Sequence, residues 1–331
     1  MRVLIVKLSS LGDVVQTMPV VHDMLQRVDD VHIEWVVEES FAPLLGEVLG
    51  LERVLPIAER RWRRRFFAAE TRREREAFTL RLQRERYDAV IDFQGLVKSA
   101  LVARRARIEP GGHRYTYANG SELCGYEWPV RFMVDSPLPM ERRVHAVRRY
   151  RLLAARALGY ELGDSPARVD WRFAPPPGEG RDVLLAHGTT RSDNEWPEER
   201  WIDVGCRLVA AGFRVVLPQA GAAEAGRVRR VAAAIDEGVE VLAPMSLDAL
   251  ARRMAACAGV IGVDSGLSHL AVALDLPHVQ IFSQPRVWRA GPVGSAHQLA
   301  VGGDAAPSAE TVWAAWQRVW AARPSLGGMA P

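Results

Sequence analysis

Short, nearly unbroken apolar runs alternate with longer amphipathic stretches along most of the chain. Residues 2–8, 31–37, 53–57 and 87–93 read as strands. The first is almost continuously apolar, as expected of a strand buried on both faces of a parallel sheet. A turn over 9–13 leads into a helix over 14–27, where Pro19 is tolerable only near the start. A second helix follows the fourth strand over about 95–107, and a third spans 143–158. Residues 111–139 carry no clear period. Strands alternating with helices predict a parallel sheet covered on both faces.

The stretch 174–180, with three prolines and two glycines, supports neither helix nor strand and reads as a linker. Beyond it the alternation restarts. Strands are expected at 182–186, 213–217, 239–242, 260–263 and 277–282, the last completing the sheet. Helices are expected after Pro197, over 222–235 and 246–256, and from 267 onward. The expected architecture is α/β, with two Rossmann-like parallel-sheet domains, 1–173 and 181–307, facing each other across a cleft. A helix over 308–323, with Trp313, Trp316 and Trp320 as core residues, is expected to pack back towards the N-terminal domain. The Gly/Pro-rich residues 324–331 are expected to be a disordered tail.

Such domains bind ligands beyond the carboxyl ends of their strands, so three loops carry the candidate chemistry. In the second half, the strand 260–263 breaks at Asp264, Ser265 and Gly266 into a helix with His269 in its first turn. Asp264 and Ser265 suit an N-cap, and Gly266 lets a ligand approach the backbone. A helix start with unpaired N–H groups is a seat for phosphate. The loop 187–191 adds the hydroxyls of Thr189 and Thr190. Together with Ser265 these can hold a diphosphate without a metal. There is no GxGxxG and no Walker A lysine, which counts against dinucleotide redox chemistry and ATP hydrolysis. In the first half, Asp13 follows Gly12 at the mouth of a helix. It is either a helix-start acid favoured by the dipole or a general base.

Composition changes this picture little. The 331 residues are 48% hydrophobic and 25% charged, with a net charge of +3 that does not by itself imply nucleic acid. The charge is uneven, however: residues 53–86 hold 12 Arg against five Asp/Glu. Within them Arg60, Arg61, Arg63, Arg64 and Arg65 form a run without an acid, interleaved and followed by Trp62, Phe66 and Phe67. One reading is a solvated helix whose arginines pair with Glu70, Glu74 and Glu76. The other is an anionic partner, phosphorylated or carboxylated. Cys124, Cys206 and Cys257 are odd in number and without CxxC spacing, which argues for a reducing compartment and against a structural zinc site. Lys7 and Asp13 interrupt what would otherwise resemble a signal peptide, and no apolar stretch is long enough to span a bilayer. A cytosolic protein is expected.

Six segments then carry a resemblance. Residues 3–14 (with Lys-Leu-Ser-Ser-Leu-Gly-Asp at 7–13), 35–39, 87–99, 187–191, 196–199 and 262–269 resemble the lipopolysaccharide heptosyltransferase I family, glycosyltransferase family 9. They occur in order and at similar spacing from residue 1 to about 282, and the likeness is weak over 111–139 and after 283. The resemblance implies a GT-B fold and an inverting transfer of heptose from ADP-heptose to Kdo of Kdo2-lipid A. It implies no metal or other cofactor and no nucleic-acid partner. It also implies work at the anionic membrane surface, on the cytoplasmic face of the inner membrane.

By the same match Asp13 would be the base, and Ser10, Gly12, Arg60, Arg61, Arg63 and Arg64 would meet the acceptor. Thr189, Thr190, Ser265 and Gly266 would hold the diphosphate, His269 would assist there, and Asp264 would hold the heptose. Glu224 would bind the ribose and Met245 would line the adenine pocket. The chain departs from the family at Asn194, where the resembling enzymes carry a lysine, and Arg191 is the expected substitute cation. A paralogous transferase adding a second heptose or another sugar, and a non-catalytic module docking on anionic surfaces, are the alternatives.

Overall fold

The computed structural model describes residues 1–173 and 180–323. Most of the expected linker, 174–179, and the whole of the expected tail, 324–331, lie outside the described residues. The chain divides into two compact units, Met1–Arg172 and Phe173–Pro331.

The first unit runs β1 (Arg2–Val6), α1 (Leu11–Thr17), α2 (Pro19–Arg27), β2 (His32–Glu38), α3 (Ala42–Gly46), β3 (Leu51–Ile57), α4 (Glu59–Arg64) and α5 (Ala69–Leu82). It continues with β4 (Arg86–Asp92), α6 (Val97–Arg105), β5 (Arg107–Tyr117), β6 (Ser136–Leu138) and α7 (Ala146–Leu158). All six strands are parallel, in the order β3-β2-β1-β4-β5-β6. The central β1 buries Val3 to Val6 completely, which is why its apolar run is unbroken. The helix expected over 14–27 is two helices, because Pro19 cannot donate a backbone bond and instead opens α2. The unreadable stretch 111–139 holds the end of β5 and all of β6.

The second unit runs β7 (Asp182–Ala186), α8 (Glu198–Ala210), β8 (Arg214–Leu217), α9 (Ala222–Ile235), β9 (Val239–Val241) and α10 (Leu247–Ala255). Then come β10 (Gly259–Val263), α11 (Gly266–Ala273), β11 (His278–Phe282), α12 (Val287–Ala290), β12 (Gln298–Gly302) and α13 (Ala309–Ala321). Its six parallel strands are ordered β12-β11-β10-β7-β8-β9. Counted from each unit's first strand, this is the same 3-2-1-4-5-6 order as in the first unit, the Rossmann arrangement. The strand over 277–282 does not complete the sheet; β12 pairs outside it along Gln298–Gly302.

The final helix joins the core of the second unit. Val312, Ala315, Trp316 and Val319 of α13 are buried in the second unit's own core with Val279 and Ile281 of β11. Phe213 lies edge-on to both Trp316 and Trp320, and Ser308 caps the helix by accepting from Thr311 N. The helix therefore contributes to the core of its own unit, where its tryptophans were expected to pack. Among the described residues no helix is long and apolar enough to cross a membrane.

Candidate functional site

Each unit reverses its strand order between its first and fourth strands, and the loops leaving those strands carry the chemistry. In the first unit these are the loops after β1 and β4. Gln94 ties them together, its Oε1 accepting from Leu8 N at 3.2 Å and Ser9 N at 3.1 Å. Asp92, fully buried at the end of β4, accepts from Gln94 N, Gly95 N and Ser99 Oγ. Burial raises its pKa to about 6 against those hydrogen bonds.

Asp13 sits in the first turn of α1, half-buried. Its Oδ2 accepts from Ser10 N at 3.2 Å and Ser10 Oγ at 2.9 Å, and its Oδ1 accepts from the Tyr150 hydroxyl at 2.8 Å. The Lys7 ammonium lies 4.0 Å from Oδ1 and donates to Phe93 O and to the Tyr150 oxygen, both at 3.2 Å. Burial pulls the Lys7 pKa down, against the attraction of Asp13. Tyr150 reaches this place because α7 is fixed to α2 by the bidentate pair of Arg151 and Asp23, at 2.7 and 2.8 Å. Arg149, one residue earlier, is buried with its guanidinium 3.6 Å from the Tyr117 ring centroid, and its Nε and Nη2 lack hydrogen-bond partners.

The arginine run is less uniform than its sequence. Arg61 is neutralised by Glu39 and Glu74, its closest contacts being 2.8 Å, and Arg60 lies over the Phe41 ring. Trp62 is buried beneath and donates to Glu74, so Glu74 fulfils the pairing expected of a solvated helix. Arg63, Arg64 and Arg65 are exposed, and so are Phe66 and Phe67, the latter at 91%. Ser10 is exposed beside Asp13, and Gly12 lies in the same turn of α1.

In the second unit the loops leave β7 and β10, with the loop after β11 beside them. Gly262 lets β10 approach β7: a Cβ there would stand 2.7 Å from Ala186 Cβ. Ser265 is the N-cap of α11, and its buried Oγ has no hydrogen-bond partner. Asp264 accepts from Asn194 Nδ2 through both O (3.0 Å) and Oδ2 (3.3 Å), and from Gln280 Nε2 at 3.3 Å. The His269 ring lies 3.4 Å from its Oδ1. Burial acts to raise the Asp264 pKa, but the His269 hydrogen bond and the charges of His269, Arg289 and Arg286 hold it below the usual carboxylate value.

Thr189 Oγ1 accepts from Arg191 N at 3.2 Å, while Thr190 is exposed. Arg191 forks onto Asp193, with both bonds at 3.0 Å, and is itself exposed. Glu224, from the start of α9, comes so close to the β7 loop that a Cβ at position 188 would stand 2.6 Å from its Oε1 and displace its carboxylate. Met245 lies partly exposed after β9. His187, by contrast, turns inward, its Nε2 bonding Pro218 O. Among the described residues no group of three or more His, Cys, Asp or Glu side chains is placed to hold a metal ion.

The structure thus brings Thr189, Glu224, Asn194, Asp264, Ser265 and His269 to one end of the second sheet, and Ser10, Gly12 and Asp13 to the corresponding end of the first. Tyr150, Arg149, Gln280 and Arg286 join them without any signal in their own sequence context.

Comparison with known proteins places the chain in a family. The profile of glycosyltransferase family 9 (heptosyltransferase) matches residues 75–312. Lipopolysaccharide heptosyltransferase 1 of Escherichia coli K12 is 41% identical over 290 residues, which is 85% of this chain and 88% of that protein. The structure of E. coli heptosyltransferase WaaC with ADP matches with a TM-score of 0.84 at 36% identity, covering 98% of this chain and all of the other. The same enzyme with ADP-2-deoxy-2-fluoro heptose gives 0.76 at 36% identity, covering 91% and 93%.

Proposed function

We propose a reaction and its residues for a chain that belongs to glycosyltransferase family 9, the heptosyltransferases. The fold is the GT-B class, the enzyme is a glycosyltransferase, and the activity is heptosyl transfer in assembly of the lipopolysaccharide inner core. The donor is ADP-heptose and the acceptor hydroxyl belongs to Kdo of Kdo2-lipid A. One observation carries this reading: the E. coli enzyme whose structure with ADP matches 98% of this chain is also seen with an ADP-heptose analogue.

In the proposed step Asp13 takes the proton of the Kdo hydroxyl as that oxygen attacks the anomeric carbon. The bond from that carbon to the diphosphate oxygen breaks, ADP leaves, and the configuration inverts in a single displacement. Tyr150 and Ser10 aim the carboxylate through their hydrogen bonds to it. The charge that grows on the leaving diphosphate falls to Thr189, Thr190, His269 and the backbone N–H groups at Ser265 and Gly266. Donors already fixed in place are effective there because nothing has to reorganise as charge develops. Asp264 holds the heptose hydroxyls, Glu224 the ribose, and Met245 borders the adenine. No metal enters the proposal.

Kdo carboxylates and lipid A phosphates are anionic, which suits the exposed Arg63 and Arg64 together with Arg60 and Arg61. Phe66 and Phe67 beside them suit the interfacial zone of a bilayer. The enzyme would then act at the cytoplasmic face of the inner membrane, held peripherally.

The test is transfer from ADP-heptose to Kdo2-lipid A against transfer to a core that already carries one heptose. Preference for the unheptosylated acceptor supports the proposal. Preference for the heptosylated core would assign the chain to a later step.

A further inference from the structure

Adjacent parallel strands end side by side, so the loop after β11 lies next to the loops after β10 and β7. Arg286 occupies that loop. Its Nη1 donates to Asn194 Oδ1 at 3.3 Å and its Nη2 to Asp193 Oδ2 at 2.7 Å. Asn194 in turn donates to Asp264, the residue before the α11 N-cap. Arg286 is therefore one amide away from the turn carrying the unpartnered Ser265 hydroxyl. Its side chain is only 15% exposed, whereas that of Arg191 is 57% exposed and is already forked onto Asp193.

Charge decides what this arrangement does. A diphosphate brought to the α11 N-terminus meets two carboxylates, Asp264 and Asp193, both held below the ordinary carboxylate pKa. Asp193 is kept there by hydrogen bonds from Arg191 and then Arg286, against slight desolvation. Helix-terminal N–H groups and neutral hydroxyls do not offset two negative charges. The neutral Asn194 adds no charge of its own. The basic side chains facing Asp264 are His269, Arg289 and Arg286, and Arg286 bonds directly to Asn194. A guanidinium has five N–H donors, and Asn194 and Asp193 use two of Arg286's, leaving three for phosphate oxygens.

We propose that Arg286 supplies the positive charge that binds the donor's diphosphate, with Asn194 positioning it and Arg191 secondary to it. This rests on the donor reading above and goes beyond it by naming the cation and its loop.

The experiment compares ADP with adenosine, by calorimetry, on the full chain carrying Arg286→Ala, Arg286→Lys or Arg191→Ala, and on the double variant Arg286→Ala with Asn194→Lys. Arg286→Ala is expected to weaken ADP about tenfold to hundredfold, the range of a charge-assisted contact, and to leave adenosine unchanged. Unchanged adenosine affinity also shows that the variant is folded. Arg286→Lys should lose less, and Arg191→Ala less than Arg286→Ala. Asn194→Lys should restore ADP affinity to Arg286→Ala, because the side chain at 194 already reaches Asp264 and Arg286. An unchanged ratio of ADP to adenosine affinity in Arg286→Ala, or a larger loss in Arg191→Ala, overturns the assignment while leaving the donor reading intact. A wild-type chain that binds neither ligand overturns both.

Discussion

The Tyr150 hydroxyl donates to Asp13 at 2.8 Å although 137 residues separate the two in sequence. Lys7 donates to the same phenol oxygen and stands 4.0 Å from the same carboxylate oxygen, so the candidate base is held by a group that is itself held. Removing the phenol oxygen leaves α7 anchored by Arg151 and Asp23. Tyr150→Phe is therefore expected to fold and to bind donor normally while kcat falls about tenfold, the loss of one hydrogen bond to a charged group. Steady-state kinetics decide this, and an unchanged kcat would mean that the Tyr150 hydroxyl is not needed to fix the carboxylate.

Glu224 gives a prediction of the opposite kind. It crowds Gly188 and accepts from Ala220 N at 2.9 Å, far from any role in bond breaking. Glu224→Ala should raise the KM for donor about tenfold and change kcat less than twofold, because a contact made equally in ground and transition states affects binding only. A fall in kcat at constant KM would remove it from the ribose.

The exposed arginines predict salt-sensitive membrane binding. Each basic residue near an anionic bilayer contributes about 1 kcal/mol, so Arg63→Ala with Arg64→Ala should weaken partitioning onto anionic vesicles about 25-fold. Neutral vesicles and the KM for ADP-heptose should respond little. Vesicle sedimentation at low and high salt measures this, and equal binding of the variant to anionic vesicles would leave the patch to the soluble part of the acceptor.

A stability prediction follows from His278. Its ring is buried in β11, Nδ1 bonds Val260 O, and burial lowers its pKa from 6.5 to about 4. Between those values the unfolded chain takes up a proton that the native ring refuses, so stability falls as pH drops from 6.5 towards 4. At about 1.4 kcal/mol per unit this amounts to something on the order of 3 kcal/mol. In denaturant titrations His278→Asn should flatten that part of the profile. An identical slope would place the effect on other groups.

Much of this molecule is legible from its residues alone, for physical reasons. β7 and α9 fall where the pattern puts them, because a strand buried on both faces is uniformly apolar and an amphipathic helix keeps its period. β5 defeats the pattern: Pro110, Gly111 and Gly112 interrupt it, and its register against β4 shifts between Tyr87 and Ala89. β12 is a short edge strand with too few alternations to register. The sites divide similarly. Asp13, Asp264 and Ser265 announce themselves as turn and cap residues after strands. Tyr150, Gln280 and Arg286 are an aromatic, an amide and a cation on other elements, and only the sheet order brings them to those turns. The arginine run misleads in part, because Glu39 and Glu74 reach Arg61 from outside it.

The most direct test of the reaction as a whole is the Asp13→Asn variant, which keeps the shape of the side chain and removes its ability to take a proton. Transfer of heptose from ADP-heptose to Kdo2-lipid A should fall by about 10²–10⁴-fold, with ADP affinity within twofold of wild type. Near-normal transfer by that variant would contradict the account, leaving Asp13 a helix-start acid and the proton to another group.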